Sequence, residues 1–277
     1  MKIEEFSHIV EQALFEDLAG VGDITSSAVV PEDTKSTGNL VARARGVVAG
    51  IPVAEHVFHS VDPLVEFDAV NKDGTEVAPG TVVASVAGSS RSILTAERTA
   101  LNLLGRMSGV ATATARLVTE VAGTGARITD TRKTTPGLRV LDKYAVVAGG
   151  GVNHRMGLYD EVMIKDNHIV VAGGVRSAMA RARTAVGDDV RVIVEVESLT
   201  QLAEVLDTSA NRVLFDNMGP EMLAEAVEMV GGAMETEASG GITLENVRAI
   251  AETGVDFISA GWITHSAPQL DLALDFV

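Results

Sequence analysis

Two neighbouring stretches hold most of the residues able to do polar chemistry. The first is Asp130-Thr131-Arg132-Lys133-Thr134-Thr135-Pro136-Gly137. The second is Asn153-His154-Arg155, followed by Ile164-Lys165-Asp166-Asn167-His168. Between Arg127 and Lys165 the chain carries seven Lys/Arg against four acids, a local positive excess in a protein whose formal net charge is −16. A basic island in an acidic chain is the expected footprint of a small anionic ligand. The Arg forks of Arg132 and Arg155 suit carboxylates and phosphates, and Lys133 and Lys165 add compact point charges. The competing reading is a set of surface salt bridges with neighbouring acids.

Two carboxylates, Glu195 and Asp216, close apolar runs (Val192-Ile193-Val194 and Val213-Leu214-Phe215). In such a place a carboxylate can hold sugar hydroxyls, lean on a divalent cation, or stabilise positive charge forming on carbon; an ion pair with a nearby Lys is the alternative. Direct all-protein coordination of a metal is not expected, because Mg²⁺ keeps waters and uses one or two carboxylates plus substrate phosphates. Ser239-Gly240-Gly241 and Ala260-Gly261 could let backbone N–H groups approach a phosphate, or be plain turns. His56 and His59 read as a helix-face pair, and Gly149-Gly150-Gly151 as a loop. No G-x-x-x-x-G-K-[ST] and no strand-borne G-x-G-x-x-G is present, so nucleotide-cradling loops of those kinds lack support.

The elements that must position these groups follow from periodicity. Residues 1–20 place Ile3, Phe6, Ile9, Val10, Ala13 and Leu14 at helical spacing. Asn39 to Ser90 reads as a small antiparallel sheet, with turns at Asp73-Gly74 and Pro79-Gly80. Ile93 to Val121 reads as helix, with Gly105 and Gly109 as expected breaks. After Gly125 six strands are predicted: Arg127–Asp130, Glu161–Lys165, Val190–Val196, Arg212–Asp216, Met234–Ser239 and Asp256–Ala260. Helices fit between them at Val140–Ala148, Val175–Val186, Leu199–Leu206, Glu221–Val230 and Leu244–Thr253. That alternation implies parallel strands with helices outside. Each strand ends in a polar or glycine-rich group, which favours a barrel mouth over the single crevice of an open sheet.

Composition sets the outer limits. Hydrophobic residues at 46% and charged residues at 22% describe an ordinary globular chain, and 4% aromatics imply an aliphatic core. The acidic balance argues against a nucleic-acid binder. No cysteine is present, excluding disulfides, thiolate metal sites and a Cys nucleophile. No apolar run suits a membrane span, and a soluble cytoplasmic protein is expected.

The run Asp130–Ile169 (DTRKTTPGLRVLDKYAVVAGGGVNHRMGLYDEVMIKDNHI) closely resembles the quinolinate phosphoribosyltransferases. So do LTAERTALNLLGRMSGVAT (94–112), VEVES (194–198), LFDNM (214–218), EASGGI (237–242) and GVDFISAGWITHS (254–266). The resemblance implies a small N-terminal α/β sandwich domain (1–110, joined by the tail 266–277) and an incomplete α/β barrel of about six parallel strands (111–265). It implies transfer of phosphoribosyl from phosphoribosyl pyrophosphate (PRPP) to quinolinate with decarboxylation, in the de novo route to NAD. It also implies that Mg²⁺ accompanies the pyrophosphate and that the assembly is a homodimer or larger.

Matched motif by motif, Arg98, Arg132, His154 and Arg155 would hold the quinolinate carboxylates, and Lys133 and Lys165 would be shared between the two substrates. Arg43 would reach in from a partner subunit, with Arg45 close enough to compete for that role. Glu195 and Asp216 would face the ribose and its Mg²⁺, the metal being held indirectly through water and pyrophosphate. Ser239, Gly240 and Gly261 would bind the 5′-phosphate. The alternatives are a paralogue of the same fold associated with molybdate transport, a barrel aldolase or decarboxylase using Lys133 or Lys165 as a Schiff-base amine, and an anion sensor without turnover.

Overall fold

The computed structural model describes residues 1–277. Contacts group the chain into two compact units. One is Met1–Ala115 with Thr134–Gly150 and Ile263–Val277; the other is Arg116–Lys133 with Gly151–Trp262. Thr134–Gly150 therefore groups with the first unit, although the sequence assigns it to a 111–265 barrel segment. The reason is local: in its helix Arg139–Ala148, Asp142 receives Arg106 and the Tyr144 hydroxyl donates to Asp73 at 2.7 Å.

There are twelve strands: β1 (Lys35–Ala42), β2 (Gly46–Val47), β3 (Glu66–Ala69), β4 (Glu76–Val77), β5 (Val82–Ser89), β6 (Arg127–Thr129), β7 (Val162–Ile164), β8 (Val192–Val196), β9 (Arg212–Asp216), β10 (Glu235–Ser239), β11 (Phe257–Ser259) and β12 (Leu272–Phe276). The first unit holds a four-stranded antiparallel sheet in the order β12-β1-β5-β3 and the short ribbon β2-β4.

Two elements of this unit depart from the sequence reading. Ile51–Val61 is helix inside a stretch read as sheet. Pro52 sits in its first turn, where a missing N–H costs nothing. The Asp73 carboxylate accepts from the N–H groups of Gly50 and Ile51, both at 3.0 Å. Val53, Ala54, Val57 and Phe58 bury one face of this helix, and each fully buried Val or Phe contributes about 1.5–3 kcal/mol. His56 packs edge-on against Phe6 while His59 bonds the Val65 carbonyl, so the pair does not converge on an ion.

The second departure is the helix Ser90–Glu120, which runs unbroken through Gly105 and Gly109. Those glycines admit a crossing chain. A Cβ on Gly109 would stand 2.1 Å from the Pro268 carbonyl oxygen, and one on Gly105 3.0 Å from that of Leu270. The Leu270 N–H donates to the Gly105 carbonyl at 3.0 Å, leading the chain into β12.

The second unit holds six parallel strands in the order β6-β11-β10-β9-β8-β7. Walked from β7, that order is sequential until β11 meets β6, the first strand of the unit. An open doubly wound sheet reverses about a switch point instead. This is therefore the incomplete barrel, its gap lying between β7 and β6, and Val152 bridges to Thr129 beside that gap. Of the helices predicted for this unit, Val175–Val186 and Leu199–Leu206 match, the next begins at Pro220 and the last is trimmed to Val247–Ala251. Asp166–Ala172 adds a helix that the sequence reading left out.

The strands divide their faces by the period of two. On β9 and β10, Val213, Phe215, Thr236 and Ala238 are buried on one side. The other side carries Arg212, Leu214, Asp216, Glu235, Glu237 and Ser239. Low on this inner face Arg212 donates to Glu235 (3.0 and 2.9 Å) and to Glu237 (3.0 Å). The Phe257 ring lies under the guanidinium carbons of Arg212 and Arg127, at 3.7 and 4.2 Å. At the same end, before β8 and β9 start, Arg183 donates to the carbonyls of Gly187, Val190 and Ser209, to Ser209 Oγ and to Asn211 Oδ1. These bonds tie the helix Val175–Val186 to the starts of β8 and β9.

Candidate active site

The strand register sets the site. Thr129, Ser259, Ser239 and Asp216 stand in one row across β6, β11, β10 and β9. Glu237, Leu214 and Glu195 stand in the row beneath. With side chains alternating, both rows face the same side of the sheet. A cavity of about 420 Å³ opens there, lined by Thr131, Arg132, Lys133, His154, Arg155, Met163, Lys165, Glu195, Leu214, Asp216, Glu237, Ser239 and Ser259. Eight residues singled out in the sequence thus share one wall: Arg132, Lys133, His154, Arg155, Lys165, Glu195, Asp216 and Ser239.

Lys165 follows β7 and pairs with Glu195 of the adjacent β8. The ion pair offered as the alternative reading of Glu195 is therefore present, and it sits inside the cavity. An ammonium held by a carboxylate is a poor nucleophile, so the Schiff-base alternative gains nothing from the geometry. The Lys165 backbone N–H is capped by His168 Nδ1 at 3.0 Å, which fixes where the following helix begins.

Arg155 is buried. Its Nη1 donates to the Glu161 carbonyl at 3.0 Å. Burial first, and then the charge of Arg132, holds its pKa below the ordinary arginine value. Two guanidinium groups are thus kept near each other in a site that an anion would relieve.

His154 is anchored on three sides. Its backbone N–H donates to Asp130 Oδ1 at 3.0 Å, Nδ1 accepts the Arg155 N–H at 2.7 Å, and Nε2 lies 3.3 Å from Glu237 Oε2. A direct bond from this ring to a substrate carboxylate would require one of its two nitrogen contacts to be given up.

Asp216 Oδ2 accepts from the Asn217 amide at 2.9 Å. Asn217 adopts a left-handed backbone (φ +55°), which Asn tolerates better than most residues. Its side chain fills the space beside Gly240, where a Cβ would meet Asn217 Oδ1 at 2.1 Å. Gly240 is thus required by packing and by its φ of +93°, while Gly241 (φ +60°) has open space around it. Gly240 and Gly261 lie just beyond the cavity wall, next to Ser239 and two residues past Ser259. Arg43 and Arg98 belong to the first unit and are exposed there; Arg43 pairs with Asp275 of β12.

Glu237 was not singled out in the sequence, although its alternation with Glu235 and Ser239 along one strand was the available signal. It is fully buried. Burial alone would raise its pKa, but His154 and Arg212 together bring it below the ordinary glutamate value.

No three His, Cys, Asp or Glu side chains gather to enclose a metal ion. Glu195 and Asp216, on neighbouring strands at the cavity wall, match instead the one or two carboxylates that a hydrated Mg²⁺ uses beside substrate phosphates.

Two family models match the chain: "Quinolinate phosphoribosyl transferase, N-terminal domain" over residues 23–108 and "Quinolinate phosphoribosyl transferase, C-terminal domain" over 110–275. The decarboxylating quinolinate phosphoribosyltransferase 1b of Nicotiana tabacum is 43% identical over 96% of this chain and 81% of its own length. The chloroplastic, carboxylating nicotinate-nucleotide pyrophosphorylase of Arabidopsis thaliana is 42% identical over 96% and 81%. Among solved structures, NadC from Streptococcus pyogenes superposes with a TM-score of 0.96 at 36% identity, covering 100% of this chain and 99% of that one. The nicotinate-nucleotide pyrophosphorylase of Ehrlichia chaffeensis gives a TM-score of 0.94 at 39% identity, covering 98% of each chain.

Proposed function

The chain belongs to the quinolinate phosphoribosyltransferase family, and on that footing we propose how its residues divide the work. The reaction joins the quinolinate nitrogen to the sugar of PRPP. It yields nicotinate mononucleotide, pyrophosphate and carbon dioxide, a step of NAD biosynthesis. The observation that carries the assignment of roles is the cavity wall, where Arg132, Lys133, Arg155 and Lys165 face Glu195 and Asp216. Arg132, Arg155 and His154 form the quinolinate cluster, supplemented by Arg98 and by Arg43 of a second copy. Lys133 and Lys165 serve both substrates. Ser239, Gly240 and Gly261 receive the 5′-phosphate.

Lys165 and Glu195 change partners during turnover. A substrate anion draws the Lys165 ammonium away, and the released Glu195 carboxylate turns to the ribose. As the bond to pyrophosphate breaks, positive charge builds on the sugar carbon. Glu195 and Asp216, preorganised at the ends of β8 and β9, stabilise it electrostatically. The pyridine nitrogen is a weak nucleophile, so holding both quinolinate carboxylates in register contributes much of the rate. Once bonded to the sugar, the nitrogen is cationic and accepts the electron pair freed when the adjacent carboxylate leaves as carbon dioxide. That carbon then takes up a proton. Mg²⁺, leaning on Glu195 and Asp216 through water, would neutralise the departing pyrophosphate.

A homodimer or larger assembly is part of the proposal. Phe15, Val21, Ile24 and Val29 of the first unit, and Leu158, Tyr159, Val170 and Val171 of the second, are large apolar residues left exposed on the single chain. Sedimentation at working concentration tests this, and a monomer would overturn it. No helix is long and apolar enough to cross a membrane. We place the protein in the cytoplasm on its acidic, cysteine-free composition, which fractionation tests. The roles are tested by incubating the protein with quinolinate, PRPP and Mg²⁺ while following nicotinate mononucleotide and carbon dioxide. Arg132→Ala and Glu195→Gln should each suppress product, and full activity in either overturns its role.

A further inference from the structure

The geometry points to Glu237 as a positioning residue for the quinolinate cluster, acting through His154 and Arg212. This rests on the reading of Arg132, His154 and Arg155 as that cluster. Glu237 contributes a carboxylate to the cavity wall yet is fully buried. Its Oε2 accepts from Arg212 Nη1 at 3.0 Å and stands 3.3 Å from His154 Nε2, a buried charge contact without the alignment of a hydrogen bond. Its Oε1 is buried and accepts no hydrogen bond. A buried oxygen left unsatisfied is costly and uncommon. Arg212 also meets Glu235 through Nε and Nη2, a carboxylate it shares with Arg191, which Glu161 meets as well.

What Glu237 adds is control of the imidazole. Because Nδ1 of His154 accepts the Arg155 N–H, that nitrogen carries no proton, and the ring proton sits on Nε2, facing Glu237. The carboxylate therefore selects one tautomer and one ring orientation. The ring in turn holds the backbone N–H of Arg155, whose guanidinium stands beside Arg132 in the cavity. The chain of contacts runs from Arg212 through Glu237 and His154 to Arg155. It keeps two like charges in place before an anion arrives, as preorganised sites require.

The test combines kinetics with imidazole NMR on the full-length protein, with His154 assigned by difference against His154→Asn. In the wild type at pH 8, the ring should show a protonated Nε2 and an unprotonated Nδ1. Glu237→Ala should give averaged tautomer shifts and raise KM for quinolinate about tenfold or more, as misplaced binding groups do. KM for PRPP should stay within about twofold, since the polar contacts of Glu237 run to Arg212 and His154. Glu237→Gln, which keeps an acceptor of the same shape, should recover most of the quinolinate affinity. The proposal falls if Glu237→Ala leaves quinolinate KM unchanged, raises both KM values together, or leaves the tautomer intact. Should that variant fail to fold, the wild-type spectrum decides: a proton on Nδ1 overturns the proposal. Absence of quinolinate turnover in the wild type would instead defeat the assignment of roles, while the tautomer still reports on Glu237.

Discussion

Replacing Arg155 with Met should separate binding from stability. Arg155 is only 8% exposed, and the fold disfavours its charge through burial and the nearby Arg132. In Arg155→Met the buried cation and its repulsion disappear, and one hydrogen bond to the Glu161 carbonyl is lost with them. That bond, made by a charged donor, contributes about 1.5–3 kcal/mol, and removing an unfavourable buried charge offsets much of it. At about 2–4 °C per kcal/mol for a chain of this size, the ligand-free melting temperature should stay within about 4 °C of wild type.

Binding should respond quite differently. A hydrogen bond to a charged group contributes about 1.5–3 kcal/mol, so quinolinate should bind roughly 10- to 150-fold more weakly. At a ligand concentration near 100 Kd the wild type gains about 2.7 kcal/mol of stability. At the same concentration, a hundredfold weaker variant gains only about 0.4 kcal/mol. Calorimetric titration and thermal unfolding, each with and without quinolinate, read both quantities. Unchanged quinolinate affinity would refute the role of Arg155. A fall of more than about 8 °C without ligand would show that its part is structural.

Other outcomes follow from the same contacts. Arg183→Lys cannot reproduce the donations to Gly187, Val190, Ser209 and Asn211; it should lose about 2–4 kcal/mol in denaturant unfolding with kcat unaltered. Gly109→Ala would drive a methyl against the Pro268 carbonyl and should cost about 1–3 kcal/mol, whereas Gly125→Ala, with nothing within reach, should be near neutral by the same measurement. Glu237 titrates below its unfolded value. Its stabilisation is therefore complete above the ordinary glutamate pKa and is lost as pH falls through the lower folded one. Urea unfolding between about pH 6 and 3 should show this component in the wild type and not in Glu237→Gln. Asp216→Asn should raise the Mg²⁺ concentration for half-maximal activity without changing quinolinate affinity, which calorimetry and a Mg²⁺ titration check together.

The legible features were those carried by local periodicity. Runs such as Val192–Val196 and Arg212–Asp216 are apolar enough to declare strands, and the carboxylates near their ends, Glu195 and Asp216, mark the mouth. What stayed hidden depended on distant chain. Gly105 and Gly109 look like helix breakers until residues 268–270 are laid across them. Ile51–Val61 lies in a stretch that reads as sheet, with only the His56/His59 spacing pointing to helix, and the cap that starts it comes from Asp73, twenty-two residues away. Glu237 is an unremarked acid until its register brings it to His154 and Arg212. Arg43 and Arg98 sit in the first unit, so the fold of the second gives no view of their part in the site.

The pairing of β12 with β1 constrains how the protein is made. Gly38 registers with Phe276, so the first sheet pairs segments 238 residues apart. About 180 residues separate the end of β5 at Ser89 from the start of β12 at Leu272. At a synthesis rate of about 5–20 residues per second, they take on the order of 10–40 s to emerge from the ribosome. For that interval β1 has a raw edge and the groove at Gly105 and Gly109 is uncovered. The first unit is thus finished only after the second has emerged, and the nascent chain meanwhile presents the unpaired strand that chaperones exist to shield.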